Sequence, residues 1–166
     1  KKKFKRIDVL VNNAGVNKTN DFDKLSENDW DLVLDVNLKG VFLCCQEVLK
    51  SMPNGGKIIN IGSLSGEYGG PRTPSYAAAK AGLISLTKSL SKEVAKTGVL
   101  VNCITPGGAN TELYDNLSGE YRSRIEAGME LGRLVEPEEI AALAAWLASE
   151  ECSFSTGAAF DISGGR

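Results

Sequence analysis

Residues 57–80 read KIINIGSLSGEYGGPRTPSYAAAK. The stretch Lys57-Ile58-Ile59-Asn60-Ile61 is short, rich in β-branched residues and stopped by Gly62-Ser63, the pattern of a buried strand running into a turn. Thr73-Pro74 then sets a cap-type residue before a proline at the first helical position. The alanine-rich run that follows predicts a helix to about Lys96, with Gly98 as its stop.

The same strand–helix alternation extends in both directions. Upstream, Ile7-Asp8-Val9-Leu10-Val11 predicts a strand halted by Asn12-Asn13-Ala14-Gly15. Ser26 and Asp29 make a capping-box-like start, with Asp in place of Glu or Gln. Trp30, Val33, Leu34, Val41 and Leu49 then predict one long helix toward Met52, broken by Pro53-Asn54-Gly55-Gly56. Downstream, Val99 to Ile104 predicts a strand closed by Pro106-Gly107-Gly108, and Ala109 to about Gly132 is polar and less regular. Pro137-Glu138-Glu139 opens another helix, with acids where the dipole favours them, and Ala158 to Ile162 predicts a last strand. Alternation of this kind implies an α/β fold whose parallel strands are joined by right-handed crossovers, with helices on both faces of the sheet. No internal repeat or linker interrupts it, so residues 1–166 are read as a single domain.

Composition narrows the function. The chain has 166 residues, 42% hydrophobic and 24% charged, with net charge −2. This is the balance of an ordinary globular protein and gives no basic stripe for nucleic acid. The five cations among Lys1–Arg6 read as a solvated start. No apolar run reaches the length of a membrane span, and the charged opening does not look like a signal peptide. Cys44, Cys45, Cys103 and Cys152 form no Cys-x-x-Cys pair and read as small buried hydrophobes in a reducing cytoplasm, with no metal site. The absence of histidine excludes a Ser-His-Asp triad, so proton transfer falls to Tyr, Lys, Ser, Cys or a carboxylate.

Tyr76 and Lys80 are four apart on a predicted helix and so share one face. A tyrosine has a pKa of about 10 and is a poor acid or base near neutrality, and a neighbouring ammonium lowers that value. The spacing alone is unspecific. Its setting is not: Ser63 ends the preceding strand, where it can meet a substrate oxygen, and ligands of open α/β sheets bind at such strand ends. Asn12-Asn13-Ala14-Gly15 and Pro106-Gly107 close the two flanking strands at the same edge. Three successive strand ends therefore converge on one crevice.

Asn12-Asn13-Ala14-Gly15, Asn37 within Asp35-Val36-Asn37-Leu38-Lys39-Gly40, Ser63, Tyr76 with Lys80, and Pro106-Gly107 with Thr111 resemble the ordered motifs of the short-chain dehydrogenase/reductase family. The closing segment, Gly132-Arg133-Leu134 through Pro137-Glu138-Glu139 to Gly164-Gly165, is similar too. The look is that of 3-oxoacyl-carrier-protein reductases and of sugar or polyol dehydrogenases. The resemblance implies a Rossmann-like sheet and an NAD- or NADP-dependent oxidoreductase acting on a secondary alcohol or ketone. Tyr76 would be the general acid or base. Lys80 would lower its pKa and hold the nicotinamide ribose, and Ser63 would position the substrate oxygen. Asn37 would hold a water that relays protons from Lys80. Asn13, Ala14, Gly15, Pro106, Gly107, Ala109 and Thr111, with Tyr76 and Lys80, would line the cofactor. The resemblance also implies a cytoplasmic homo-oligomer, dimer or tetramer, paired through the two long helices.

Departures from the family pattern set further expectations. No glycine-rich pyrophosphate loop and none of the first three strands occur in this sequence, which leads to the expectation of a C-terminal catalytic portion that alone binds cofactor weakly or not at all. The Ile7–Val11 strand would then be an exposed apolar edge. An inactive fragment serving as an interaction or assembly module is the alternative reading. Gly108-Ala109 stands where the family often has bulkier apolar residues, which suggests a looser loop. Residues Thr111 to Gly132 would be the substrate lid, with Leu113, Tyr114 and Leu117 apolar and Glu112, Asp115 and Glu120 acidic. Arg122 and Arg124 are the candidates for a basic docking patch.

Overall fold

The computed structural model describes residues 5–111, 114 and 119–165. Most of the basic start, together with Glu112, Leu113, Asp115, Leu117 and the side chains of Glu120 and Arg124, lies outside the described residues. Four strands form one parallel sheet in the order β1 (Val9–Asn12), β2 (Lys57–Ile61), β3 (Leu100–Pro106) and β4 (Ala159–Ile162). The helices are α1 (Glu27–Leu34), α2 (Gly40–Leu49), α3 (Ser65–Tyr68), α4 (Pro74–Val94), α5 (Gly119–Ala127) and α6 (Pro137–Ala148).

Alternation along β2 builds two cores. Ile58 points to one face and packs with Val41, Cys45 and Val48 of α2 and Leu83 of α4. Ile59 points to the other and packs with Ile104 and with Leu147 of α6. A strand buried on both faces reads as a continuous apolar run, which is why Lys57–Ile61 does not alternate. The predicted Rossmann-like sheet with helices on both faces is what forms.

β1, β3 and β4 begin at Val9, Leu100 and Ala159, later than predicted, while β1 and β3 run past their predicted ends. β1 runs through Asn12, because Asn12 Nδ2 donates to Asn60 Oδ1 across the ladder at 2.8 Å. Asn60 Nδ2 in turn donates to Thr87 Oγ1 at 2.9 Å, and that hydroxyl donates to the Leu83 carbonyl at 2.9 Å. This buried chain ties β1 and β2 to α4 and so fixes the helix that carries Tyr76 and Lys80. β3 continues through Thr105 and Pro106, which pair with Asp161 and Ile162 of β4. Pro106 has no N–H to donate, but its carbonyl still accepts the Leu64 N–H at 2.9 Å and the Gly107 N–H donates to the Ile162 carbonyl at 3.2 Å.

The long helix predicted from Ser26 toward Met52 forms over residues 27–49, with one irregular turn inside it. Its cap holds: Ser26 Oγ accepts from the Asp29 N–H at 3.1 Å and donates to Asp29 Oδ2 at 2.9 Å. At Asp35–Lys39 it widens into a π turn, with the Gly40 N–H donating to the Asp35 carbonyl. The cause is Asn37, which is fully buried and whose Nδ2 donates to the Val33 carbonyl at 2.8 Å. That carbonyl would otherwise take the Asn37 backbone N–H in an α-helix. A π turn of this kind is a common mark of a functional site.

Three other expectations change. α5 forms inside the stretch read as irregular, because its mixed polar sequence gives little amphipathic signal while tertiary contacts from Tyr114 hold it. Thr73 sits at the N-cap position of α4, but its hydroxyl donates to the Gly70 carbonyl and caps nothing. Cys44 is exposed, while the other three cysteines are buried and all four are free. The edge strand is as exposed as expected: Val9 is 38% and Val11 46% accessible.

Candidate active site

The C-terminal ends of β1, β2 and β3 open into one cleft of about 370 Å³. Of the residues singled out from the sequence, Asn13, Gly15, Ser63, Tyr76, Lys80, Pro106, Gly107, Ala109 and Thr111 all line it. Ala14 and Asn37 do not.

Ser63 follows the last residue pair of β2, and its Oγ accepts the Ser65 N–H at 3.1 Å. That bond is a turn bond, and it also holds the hydroxyl in place at the cleft. Tyr76 and Lys80 project from the first two turns of α4, which Pro74 starts without a wasted N–H. Burial pushes the Tyr76 phenol above its ordinary value of 10, and a hydrogen bond with Ser63 pulls against it. Lys80 is only 4% exposed, and burial lowers its ammonium from 10.5 to about 8, with Cys103 acting in the opposite direction. Its Nζ donates to the Ile61 carbonyl at 2.6 Å and lies 5.5 Å from the centre of the Tyr76 ring.

Lys80 faces the Tyr76 ring and the β2 carbonyl, and desolvation is the largest influence on the phenol. The phenol therefore keeps its proton at neutral pH.

Asn37 stands behind the cleft wall. Its Nδ2 donates to the Val16 and Val33 carbonyls, both at 2.8 Å, and its Oδ1 accepts the Val16 N–H at 3.3 Å. Both amide hydrogens are thus committed to protein, and what remains for a water is lone pairs on oxygen. The side chain clamps the loop after β1 to the π turn. Gly15 is threaded between the two: a Cβ there would stand 2.8 Å from Asn37 Oδ1 and 3.9 Å from Lys80 Nζ. Gly15→Ala is accordingly expected to cost about 1–3 kcal/mol in urea denaturation, since Asn37 has no free direction in which to give way. An unchanged unfolding midpoint would mean the clamp is slack.

Sequence reasoning missed Asn17 and Ile140 as wall residues and placed Tyr114 only in the lid. Asn17 Oδ1 is buried without a partner. Ile140 belongs to α6, far along the chain, and nothing in its local pattern separates it from a core position. Among the described residues no cluster could hold a metal ion, and no helix is long and apolar enough to cross a membrane.

The cleft also fits a nicotinamide cofactor on its own terms. Gly15 keeps the wall open beside Lys80, the buried Lys80 ammonium stands at the end of β2, and the Asn17 oxygen is buried without a partner. Similarity to known proteins agrees. The profile of the family described as enoyl-(acyl carrier protein) reductase matches residues 1–166. A 3-oxoacyl-[acyl-carrier-protein] reductase of Thermotoga maritima is 42% identical over 165 residues, covering 98% of this chain and 67% of that protein. The acetoacetyl-CoA reductase of Cupriavidus necator is 42% identical over 161 residues, covering 96% and 65% respectively. The crystal structure of an angucycline C-6 ketoreductase with bound NADP superposes with a TM-score of 0.91 at 32% identity, covering 96% of this chain and 62% of that one. The chain thus spans about two thirds of the length of the curated relatives it matches. With the sheet, the Ser63–Tyr76–Lys80 cleft and these relatives in agreement, this chain belongs to the short-chain dehydrogenase/reductase family.

Proposed function

We propose that the protein carrying this chain is an NAD- or NADP-dependent oxidoreductase that interconverts a ketone and a secondary alcohol, with residues 1–166 folding as one catalytic domain. The observation that carries this reading is the meeting of Ser63, Tyr76 and Lys80 in one cleft, with the phenol proton retained by burial and the phenol oxygen hydrogen-bonded to Ser63. Bound nicotinamide supplies or accepts the hydride. Asn13, Ala14, Gly15, Lys80, Pro106, Gly107, Ala109 and Thr111 are the residues that would hold it. In reduction, Ser63 orients the substrate oxygen and Tyr76 donates its proton to it. Lys80 meets the ribose hydroxyls and returns a proton to Tyr76. Asn37 keeps the loop after β1 in place and presents its oxygen to a water on the relay.

The substrate class that fits best is a 3-oxoacyl thioester, the class named for the two curated relatives. Apolar residues Ile61 and Ile140 in the wall suit an acyl chain. The reading includes a cytoplasmic homo-oligomer: the free thiols suit a reducing compartment, and exposed Phe42 and Leu43 on α2 suit pairing through the long helices. The exposed β1 edge favours a second reading, an interaction module without catalysis. One assay separates them. The natural protein that carries this chain is mixed with acetoacetyl thioester and NADPH or NADH, and loss of reduced-nicotinamide absorbance is followed. Turnover with either cofactor supports the enzyme. A folded protein that consumes neither, with this or any other ketone, leaves the module reading.

A further inference from the structure

The loop leaving β3 meets the lid at a residue with no side chain. Gly108 lies in the cleft wall, and a Cβ there would stand 2.7 Å from Ile125 Cγ2, 2.9 Å from Met129 Cε and 3.0 Å from Leu134 Cδ2. These distances are below ordinary contact, so α5 and the segment after it rest directly on the Gly108 backbone. Ile125, Met129 and Leu134 form one apolar cluster with Tyr114. The loop cannot retreat from this pressure. The Asn110 N–H donates to the Val135 carbonyl and the Val135 N–H donates to the Gly108 carbonyl, each at 3.0 Å. The expectation of a looser loop at Gly108-Ala109 is therefore reversed: the small residue tightens the contact.

Tyr114 carries that contact into the cleft. Its hydroxyl donates to the Arg122 carbonyl of α5 at 2.9 Å, and the Arg122 guanidinium lies 4.9 Å from its ring centre. With its O–H proton given to Arg122, Tyr114 has no hydrogen-bond donor left for the cleft it lines. The cleft must also accommodate the nicotinamide end of a cofactor, and about 370 Å³ is near the lower end of ligand-pocket volumes, roughly 300–1,000 Å³.

We propose that Gly108 is a specificity-determining residue: the missing side chain seats α5 and Tyr114 low over the cleft, so that the site takes a compact ketone with an apolar tail and turns away a bulky one. The size preference rests on the oxidoreductase reading above; the seating of the lid does not. The test uses Gly108→Leu in the natural protein that carries this chain, with two measurements. Hydrogen exchange of the amides in Gly119–Ala127 is expected to rise by about tenfold or more while β2 and β3 amides stay protected. The ratio of kcat/KM for a long-chain 3-oxoacyl thioester to that for 3-oxobutyryl thioester is expected to rise by about tenfold. Adding Ile125→Ala and Met129→Ala to Gly108→Leu makes room for the new side chain and is expected to bring both values back toward wild type. If the leucine variant unfolds, Gly108→Ala, which needs a smaller displacement, reads the same two quantities.

Unchanged exchange in α5 overturns the seat on Gly108. Faster exchange with an unchanged substrate ratio overturns the role in specificity. A wild-type protein that reduces no ketone sinks the oxidoreductase reading and the size preference with it, while the exchange measurement still decides the seat.

Discussion

Tyr76→Phe is expected to lower kcat for ketone reduction by about 100- to 10,000-fold, the range of a lost general acid, with cofactor affinity changed less than about twofold. The argument begins from what the substitution removes, a single oxygen. The ring stays in the first turns of α4 and keeps its packing beside Lys80. Ser63 loses a partner but keeps the Ser65 N–H, so no polar group is left stranded. Stability should therefore move by less than about 1 kcal/mol. What disappears is the phenol proton, which burial holds at neutral pH beside Ser63. The chain has no histidine to take its place. Single-turnover reduction with saturating cofactor is the decisive measurement, because it isolates the chemical step from binding and release. A rate within about tenfold of wild type would move the acid elsewhere, and Lys80, the other titrating group in the wall, would be next to test.

The parts of this molecule that were legible in the sequence are those whose cause is local. The strand Lys57–Ile61 and the helix from Pro74 announce themselves by composition and by their stops, and Gly98 ends the α4 region at φ 71°, where glycine carries no Cβ penalty. The cleft was legible for a related reason: parallel order forces strand ends to one edge, so Asn13, Ser63 and Pro106 had to approach one another. What was not legible depends on contacts between distant residues. Asn37 looks like a poor helix residue in isolation, and only the presence of Val16 beside it turns the defect into a clamp. α5 lacks an apolar stripe of its own and takes its order from Tyr114, Met129 and Leu134. Gly108 read as slack because a missing side chain is ambiguous in sequence: it permits motion or close approach, and the neighbours decide which. The electrostatics of Tyr76 belong to the same class. Spacing brings Lys80 near, but the Ile61 carbonyl takes the ammonium, and depth of burial sets the phenol.

Replacing Lys80 by Met is expected to change how stability depends on pH, by about 3 kcal/mol between neutrality and strong alkali. In the unfolded chain Lys80 titrates near 10.5, and in the folded protein burial lowers it to about 8. Below about pH 8 both states carry the proton, and the folded protein bears the full penalty of a buried ammonium. Between those two values the unfolded chain holds a proton that the folded one has released, so this group's contribution to stability rises with pH. Above 10.5 both forms are neutral and the penalty is gone. Other buried groups act with the opposite sign. Cys45 and Cys103 are raised by burial from 9 to about 11, so each loses stability as pH climbs through that window, and Tyr76, raised above 10, does so from about pH 10 upward. Wild type alone would therefore show a blurred sum. The difference between wild type and Lys80→Met removes the shared part, because the cysteines and the tyrosine are present in both. The residual coupling runs the same way: Lys80 pulls the Cys103 thiol down, so its loss leaves that thiol higher and the variant weaker in alkali. Urea denaturation at a series of pH values should show the difference moving toward wild type, mostly between about pH 8 and 10.5. A flat difference would mean that Lys80 reaches water in solution and titrates as an ordinary lysine. The expected result ties the proton on Lys80 to its burial at the end of β2, where Nζ sits on the Ile61 carbonyl, and burial is also what raises the Tyr76 phenol.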